Sequence, residues 1–160
     1  MEKKSKREKF LFLLALSISA AVFCGIWTAL APFAGLIGWA GFAGCTTYFS
    51  TGSHGFKGLR RTILPNLAGI ACGVAIIALN GVTPFLESWG IWCAVITFVM
   101  CIVTYFELLD FCPGLFMGCF CTFAAGGDWM HLAPSIVLGA VLGWLCEYGG
   151  TVLYQKFFKK

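Results

Sequence analysis

Apolar residues fall along this chain in long continuous stretches, with no polar face at helical or alternate spacing. The first stretch is Phe10–Ala31, ended by Pro32. A Gly-rich piece, Gly35–Thr51, follows and is closed by Gly52-Ser53-His54-Gly55. The third is Thr62–Leu79, ended by Asn80-Gly81, with Pro84 and Glu87 in the turn beyond it. The fourth is Trp89–Leu109, ended by Asp110. After Cys112-Pro113-Gly114 comes a short stretch, Leu115–Ala125, closed by Gly126-Gly127-Asp128, and the last is Leu132–Leu153. Helices that are apolar all round belong in lipid or a deep core. A spanning helix needs about 20 residues. The chain of 160 residues therefore predicts about six spans and no separate soluble domain.

Composition agrees. The residues are 59% hydrophobic and 11% charged, where soluble domains carry about 25% charged residues. A soluble enzyme, a disordered chain and a nucleic-acid-binding module are excluded. The 11 Lys and Arg sit in three clusters: Lys3, Lys4, Lys6, Arg7 and Lys9; Lys57, Arg60 and Arg61; Lys156, Lys159 and Lys160. Short basic loops stay on the cytoplasmic side. Both termini and the 52–61 loop are thus expected inside, and the connections near 82–88 and 126–131 outside. Six spans satisfy every basic residue. Attraction of these clusters to anionic lipid is expected, and nucleic-acid binding is not.

An internal repeat is visible. Phe42-Ala43-Gly44-Cys45-Thr46-Thr47-Tyr48-Phe49-Ser50-Thr51-Gly52 aligns with Phe116-Met117-Gly118-Cys119-Phe120-Cys121-Thr122-Phe123-Ala124-Ala125-Gly126. Phe, Gly, Cys, Phe and Gly coincide. Pro65-Asn66 corresponds to Pro134-Ser135, and each is followed by a GxxxG, Gly69–Gly73 and Gly139–Gly143. Fixed-offset self-similarity signals a repeated structural unit. The expectation is an all-α membrane domain over residues 1–160, with one repeat at about 10–81 and another at about 84–153. Each repeat has three spans, an odd number, so the two are inverted in the membrane. Inverted repeats are typical of channels and secondary transporters, and paired short, Gly-interrupted segments point to their site.

The candidate path therefore runs between the two short segments. Phe42 and Phe49 share a helical face, as do Phe116 and Phe123. Facing rings would make a hydrophobic constriction; Phe packed on Gly is the competing reading. Gly44 and Gly118 allow close approach. Thr46, Thr47, Tyr48 and Thr122 offer hydroxyls, and Asn66 and Ser135 follow the matched prolines. Glu107 and Asp110 lie three apart near the end of the fourth span, and Glu147 lies about two turns from the end of the last. An intramembrane carboxylate is a candidate for proton coupling; pairing with Lys57, Arg60 or Arg61 is the rival, favoured for Asp110. His54 and His131 read as loop histidines. No carboxylate falls at the expected midplane, which argues for a passive path.

Nine cysteines lie almost entirely inside the apolar runs. Buried Cys behaves as a small hydrophobe, and that reading covers most of them. Cys45 and Cys119, related by the repeat, could bind a soft ion such as Cu(I), but the spacing is no metal motif. No metal, cofactor or enzymatic activity is expected.

The basic N-terminus, Gly44-Cys45-Thr46-Thr47-Tyr48-Phe49, Leu64-Pro65-Asn66, Gly69 and Phe123-Ala124 together resemble the small YcdZ-like inner-membrane proteins, a bacterial family defined as a domain of unknown function. The resemblance implies a multi-pass protein of the bacterial cytoplasmic membrane and carries over no catalytic residue. The expected function is passage of a small neutral or weakly charged solute through a homo-oligomer in the lipid bilayer. The alternatives are a proton-coupled carrier using Glu107 or Glu147, and a non-transporting membrane scaffold.

Overall fold

The computed structural model describes residues 6–83 and 89–158. Pro84 and Glu87, and the outermost basic residues Lys3, Lys4, Lys159 and Lys160, lie outside the described residues. The described chain is all-helical: α1 Lys6–Leu30, α2 Gly38–Ser50, α3 Gly55–Val82, α4 Trp89–Ile102, α5 Cys112–Ala124 and α6 Trp129–Phe157.

Local chemistry sets the breaks. Pro32 opens a single 3-10 turn after α1, Ala31–Ala34, which Gly35 ends at φ 67°. That left-handed conformation suits Gly, which has no Cβ to clash. Pro113 stands in the first turn of α5, where its missing N–H has no helical partner to lose. Asp128 caps α6, its side chain accepting from the His131 N–H.

Among the described residues, three helices are long and apolar enough to cross a membrane: α1 with its 3-10 turn, α3 and α6. At 1.5 Å per residue, 28 or 29 residues give about 42 Å. The 13 residues of α2 and of α5 give about 20 Å, short of a ~30 Å hydrocarbon core. α4 is also short and runs into a 3-10 turn at Val103–Tyr105.

Two boundaries differ most from the sequence expectation. α3 begins at Gly55 rather than near Thr62, so Lys57, Arg60 and Arg61 ride on its first two turns instead of in a loop. Long basic stems keep their heads in water while their methylenes cover apolar surface. The fourth helix ends early, and Phe106 is extended. Glu107 and Asp110 therefore share no helical face. Asp110 instead meets Arg61, whose Nε lies 2.9 Å from its Oδ1.

α2 packs on α6 and α5 packs on α3, while α3 and α6 also touch. α1 covers α6, and α4 covers α3 and α5. One core cluster joins Ala40, Ile70, Leu132 and Ile136; another joins Ile76, Met100 and Leu115. Pro65 and Pro134 both lie inside long helices.

Candidate functional site: two glycine seams and a carboxylate clamp

The short helices meet the long ones backbone to backbone. A Cβ on Gly44 would strike the Ile136 carbonyl and Ala140 N, and one on Gly118 would strike the Asn66 carbonyl and Ile70 N. A Cβ on Gly139 would meet the Gly41 carbonyl, and one on Gly69 the Leu115 carbonyl. One turn on, Gly143 abuts the Tyr48 side chain and Gly73 the Thr122 side chain. In the alignment that superposes Gly44 on Gly118, Gly41 falls on Leu115 and Tyr48 on Thr122. The α2–α6 and α5–α3 seams thus use corresponding contacts. The contacts also correct one correspondence: the counterpart of Asn66 is Ile136, one residue beyond Ser135. The GxxxG pairs, not the prolines, set the register.

The seams are filled. Gly44, Cys45, Thr47, Gly118, Cys119 and Thr122 are buried. Thr47 Oγ1 donates to the Ala43 carbonyl at 2.8 Å, and Thr122 Oγ1 to that of Gly118 at 2.9 Å. Ser135 is also buried; its Oγ accepts the Ile37 N–H at 2.9 Å and donates to the His131 carbonyl. Asn66 is fully buried, and among the described residues neither polar atom of its side chain has a hydrogen-bond partner.

The phenylalanines point the other way. Phe42, Phe49, Phe116 and Phe123 are all exposed, as is Thr46. On α2 the outward stripe is Trp39, Phe42, Thr46 and Phe49; on α5 it is Pro113, Phe116, Phe120 and Phe123. The shared faces expected from the seven-residue spacing are present, but they are outer faces. The rings do not close a constriction inside the protomer.

Cys45 and Cys119 lie in separate clusters, Cys45 with Cys24 and Cys146, Cys119 with Cys72 and Cys93. These two thiols do not meet, because each short helix packs on its own long partner.

Glu147 has a defined task that its sequence position did not reveal. Its Oε2 accepts the Gly55 N–H at 3.1 Å and the Tyr48 hydroxyl, and its Oε1 meets the His54 ring. One carboxylate on α6 thus ties the end of α2, the 51–54 turn and the first N–H of α3. A carboxylate at a helix N-terminus also meets the positive end of the helix dipole. The rival pairing with a basic residue is made by Asp110, to Arg61, and not by Glu147. Only the spacing of three distant segments would have exposed this clamp, and the sequence carries no such signal.

Glu107 is exposed beside a cleft of 460 Å³ that Lys57, Arg60, Arg61 and Asp110 also line. Arg61 is held there by Asp110 and by the Thr51 carbonyl and Ser53 Oγ, both at 3.3 Å. On the opposite connection, the His131 hydrogen bond holds the Asp128 carboxyl below the usual carboxylate range.

Helices of this length and apolarity, packed through glycine seams, define a helical membrane protein. The chain belongs to the family described as "Protein of unknown function (DUF1097)", whose model matches residues 17–151. It is 38% identical over 148 residues to "Inner membrane protein YcdZ" of Escherichia coli (strain K12), covering 92% of this chain and 91% of that protein. The protein of the same name from Salmonella typhimurium (strain LT2) is also 38% identical, over 90% of this chain and 91% of its own length. "Uncharacterized protein YahC" of Escherichia coli (strain K12) is 28% identical over 92% of this chain and 96% of its own. No solved structure matches. The family resemblance read from the motifs is thereby shown.

Proposed function

We propose that this chain is a bacterial inner-membrane protein that passes a small neutral or weakly charged solute, and that the path lies between copies of the chain. The membrane assignment follows the names of its relatives. The observation that carries the path is the direction of the aromatic stripes. Trp39, Phe42, Thr46 and Phe49 leave the protomer on α2, and Phe116, Phe120 and Phe123 leave it on α5, while the seams behind them are closed backbone to backbone. A face of rings with one hydroxyl favours a small uncharged solute over an ion.

The matched seams support two inverted three-helix repeats, with both termini and the 52–61 segment cytoplasmic. The short α2 and α5 support a thinned centre, since each covers only about 20 Å. Glu107 and Glu147 do not drive this passage: Glu107 lies beyond the helices, and Glu147 is engaged by three groups at a helix end. Flux through proteoliposomes tests the reading. Combined Phe49→Ala and Phe123→Ala should raise permeability to small neutral solutes. Unchanged permeability in a folded, reconstituted variant contradicts it and favours the scaffold role.

A further inference from the structure

Three thiols meet where α1, α2 and α6 pack together. The Sγ atoms of Cys24, Cys45 and Cys146 all lie within 4.8 Å of one another. Cys45 and Cys146 are buried and Cys24 is half-buried; all three are free. They come from three helices, so the grouping is a product of the fold and no sequence motif announces it.

We infer that Cys24, Cys45 and Cys146 form a binding site for one soft metal ion, with Cu(I) the best match. The spacing suits a single ion: metal–sulfur bonds of ~2.3 Å around a trigonal centre set the sulfurs about 4 Å apart. Small side-chain rotations bring this trio there. The donor set is all sulfur, which selects soft ions such as Cu(I) over hard ones. A structural zinc site requires four ligands, and among the described residues no further His, Cys, Asp or Glu joins the three. Three thiols cannot all be consumed by one disulfide. Each thiol that ligates as thiolate releases its proton to solvent; the ion keeps its oxidation state.

Cys146 adjoins Glu147, and Cys45 lies about one turn from Tyr48. Tyr48, Ser53, His54 and Glu147 line a small cleft of 100 Å³ at that end of the helices. The thiols sit roughly one turn deeper. The other half of the chain supplies an internal control. Cys119 packs with Cys72 and Cys93 in one apolar cluster, yet those sulfurs form no group at ligating distance.

The test uses the full chain purified in nanodiscs. Cu(I) is supplied anaerobically with ascorbate, against bathocuproine disulfonate as competing chelator. The wild type should retain one copper per chain, with an ultraviolet sulfur-to-copper charge-transfer band. Cys45→Ala and Cys24→Ser should each weaken retention at least about tenfold, while Cys119→Ala and Cys72→Ala retain it. Only variants eluting like the wild type are scored. Cys24→Ser replaces a half-buried group conservatively, so it reports even if Cys45→Ala does not fold. A wild type that yields all its copper to the chelator overturns the site, as does equal loss in Cys119→Ala.

Discussion

Gly139 on α6 lies directly against the peptide carbonyl of Gly41 on α2, with no side chain between the two backbones. Gly69 meets Leu115 in the same manner between α3 and α5. In lipid there is little hydrophobic drive between helices, so such close backbone approach is itself a main source of association. The glycine seams therefore hold each short helix against its long partner.

Substitution should show this. Gly118→Ala places a methyl on the Asn66 carbonyl, and overpacking of this kind costs about 1–3 kcal/mol. Gly139→Ala should behave alike. Gly25→Ala and Gly81→Ala, whose Cβ would meet nothing within 4 Å, should shift stability by no more than about 0.5 kcal/mol. Reversible unfolding in mixed micelles measures all four. Equal losses at Gly25 and Gly118 would contradict the seam.

Glu147 is predicted to stabilise the fold and not to couple protons. Glu147→Ala removes the acceptor for Gly55 N–H and Tyr48 hydroxyl and should cost about 1–3 kcal/mol. Glu147→Gln keeps an acceptor oxygen and should leave flux and its pH dependence unchanged. A Glu147→Gln protein that folds normally but loses flux would restore the carrier reading.

Asn66 offers a test in the opposite direction. Its amide is fully buried without a partner among the described residues, and an unmet buried polar group costs about 1–3 kcal/mol. Asn66→Leu keeps the branched shape of the amide, removes its polar atoms and should raise stability or leave it unchanged. It should also leave flux intact, because the proposed path lies outside the protomer core. A folded Asn66→Leu variant without flux would move the path inside.

Asp128 gives the pH-dependent prediction. Its carboxyl is depressed below the usual range by the His131 hydrogen bond. A depressed carboxylate contributes stability above the unfolded value, near 3.9, that is lost as pH falls through the lower folded value. Hydrogen exchange in the first turn of α6 should therefore be pH-independent in its protection near neutrality and weaken under acid. Asp128→Asn, which keeps a capping oxygen, should lose this acid dependence. Acid fraying that persists in Asp128→Asn would contradict the assignment.

Much of the fold was legible because lipid-facing helices need no polar face: continuous apolar runs give them away. Charge misled at two edges. Lys57, Arg60 and Arg61 read as a loop, yet they begin α3 because their stems can lie along the helix while Gly55 N–H is capped from α6. Glu107 read as helical, yet the chain leaves α4 before it. Gly44 and Gly118, read as points of close approach, lie against the backbones of α6 and α3. Spacing placed Phe42 with Phe49 and Phe116 with Phe123, but periodicity does not say which way a face points, and all four face outward. The Cys24–Cys45–Cys146 group and the Glu147 clamp each join segments far apart in sequence, so only tertiary packing assembles them.

The central claim is that the stripes on α2 and α5 meet the same stripes of other copies around a solute path. Cryo-electron microscopy of the chain in nanodiscs tests it most directly. The account predicts a symmetric assembly with Phe42, Phe49, Phe116 and Phe123 facing the space between copies. A monomer, or an assembly in which these four rings face lipid, would contradict it.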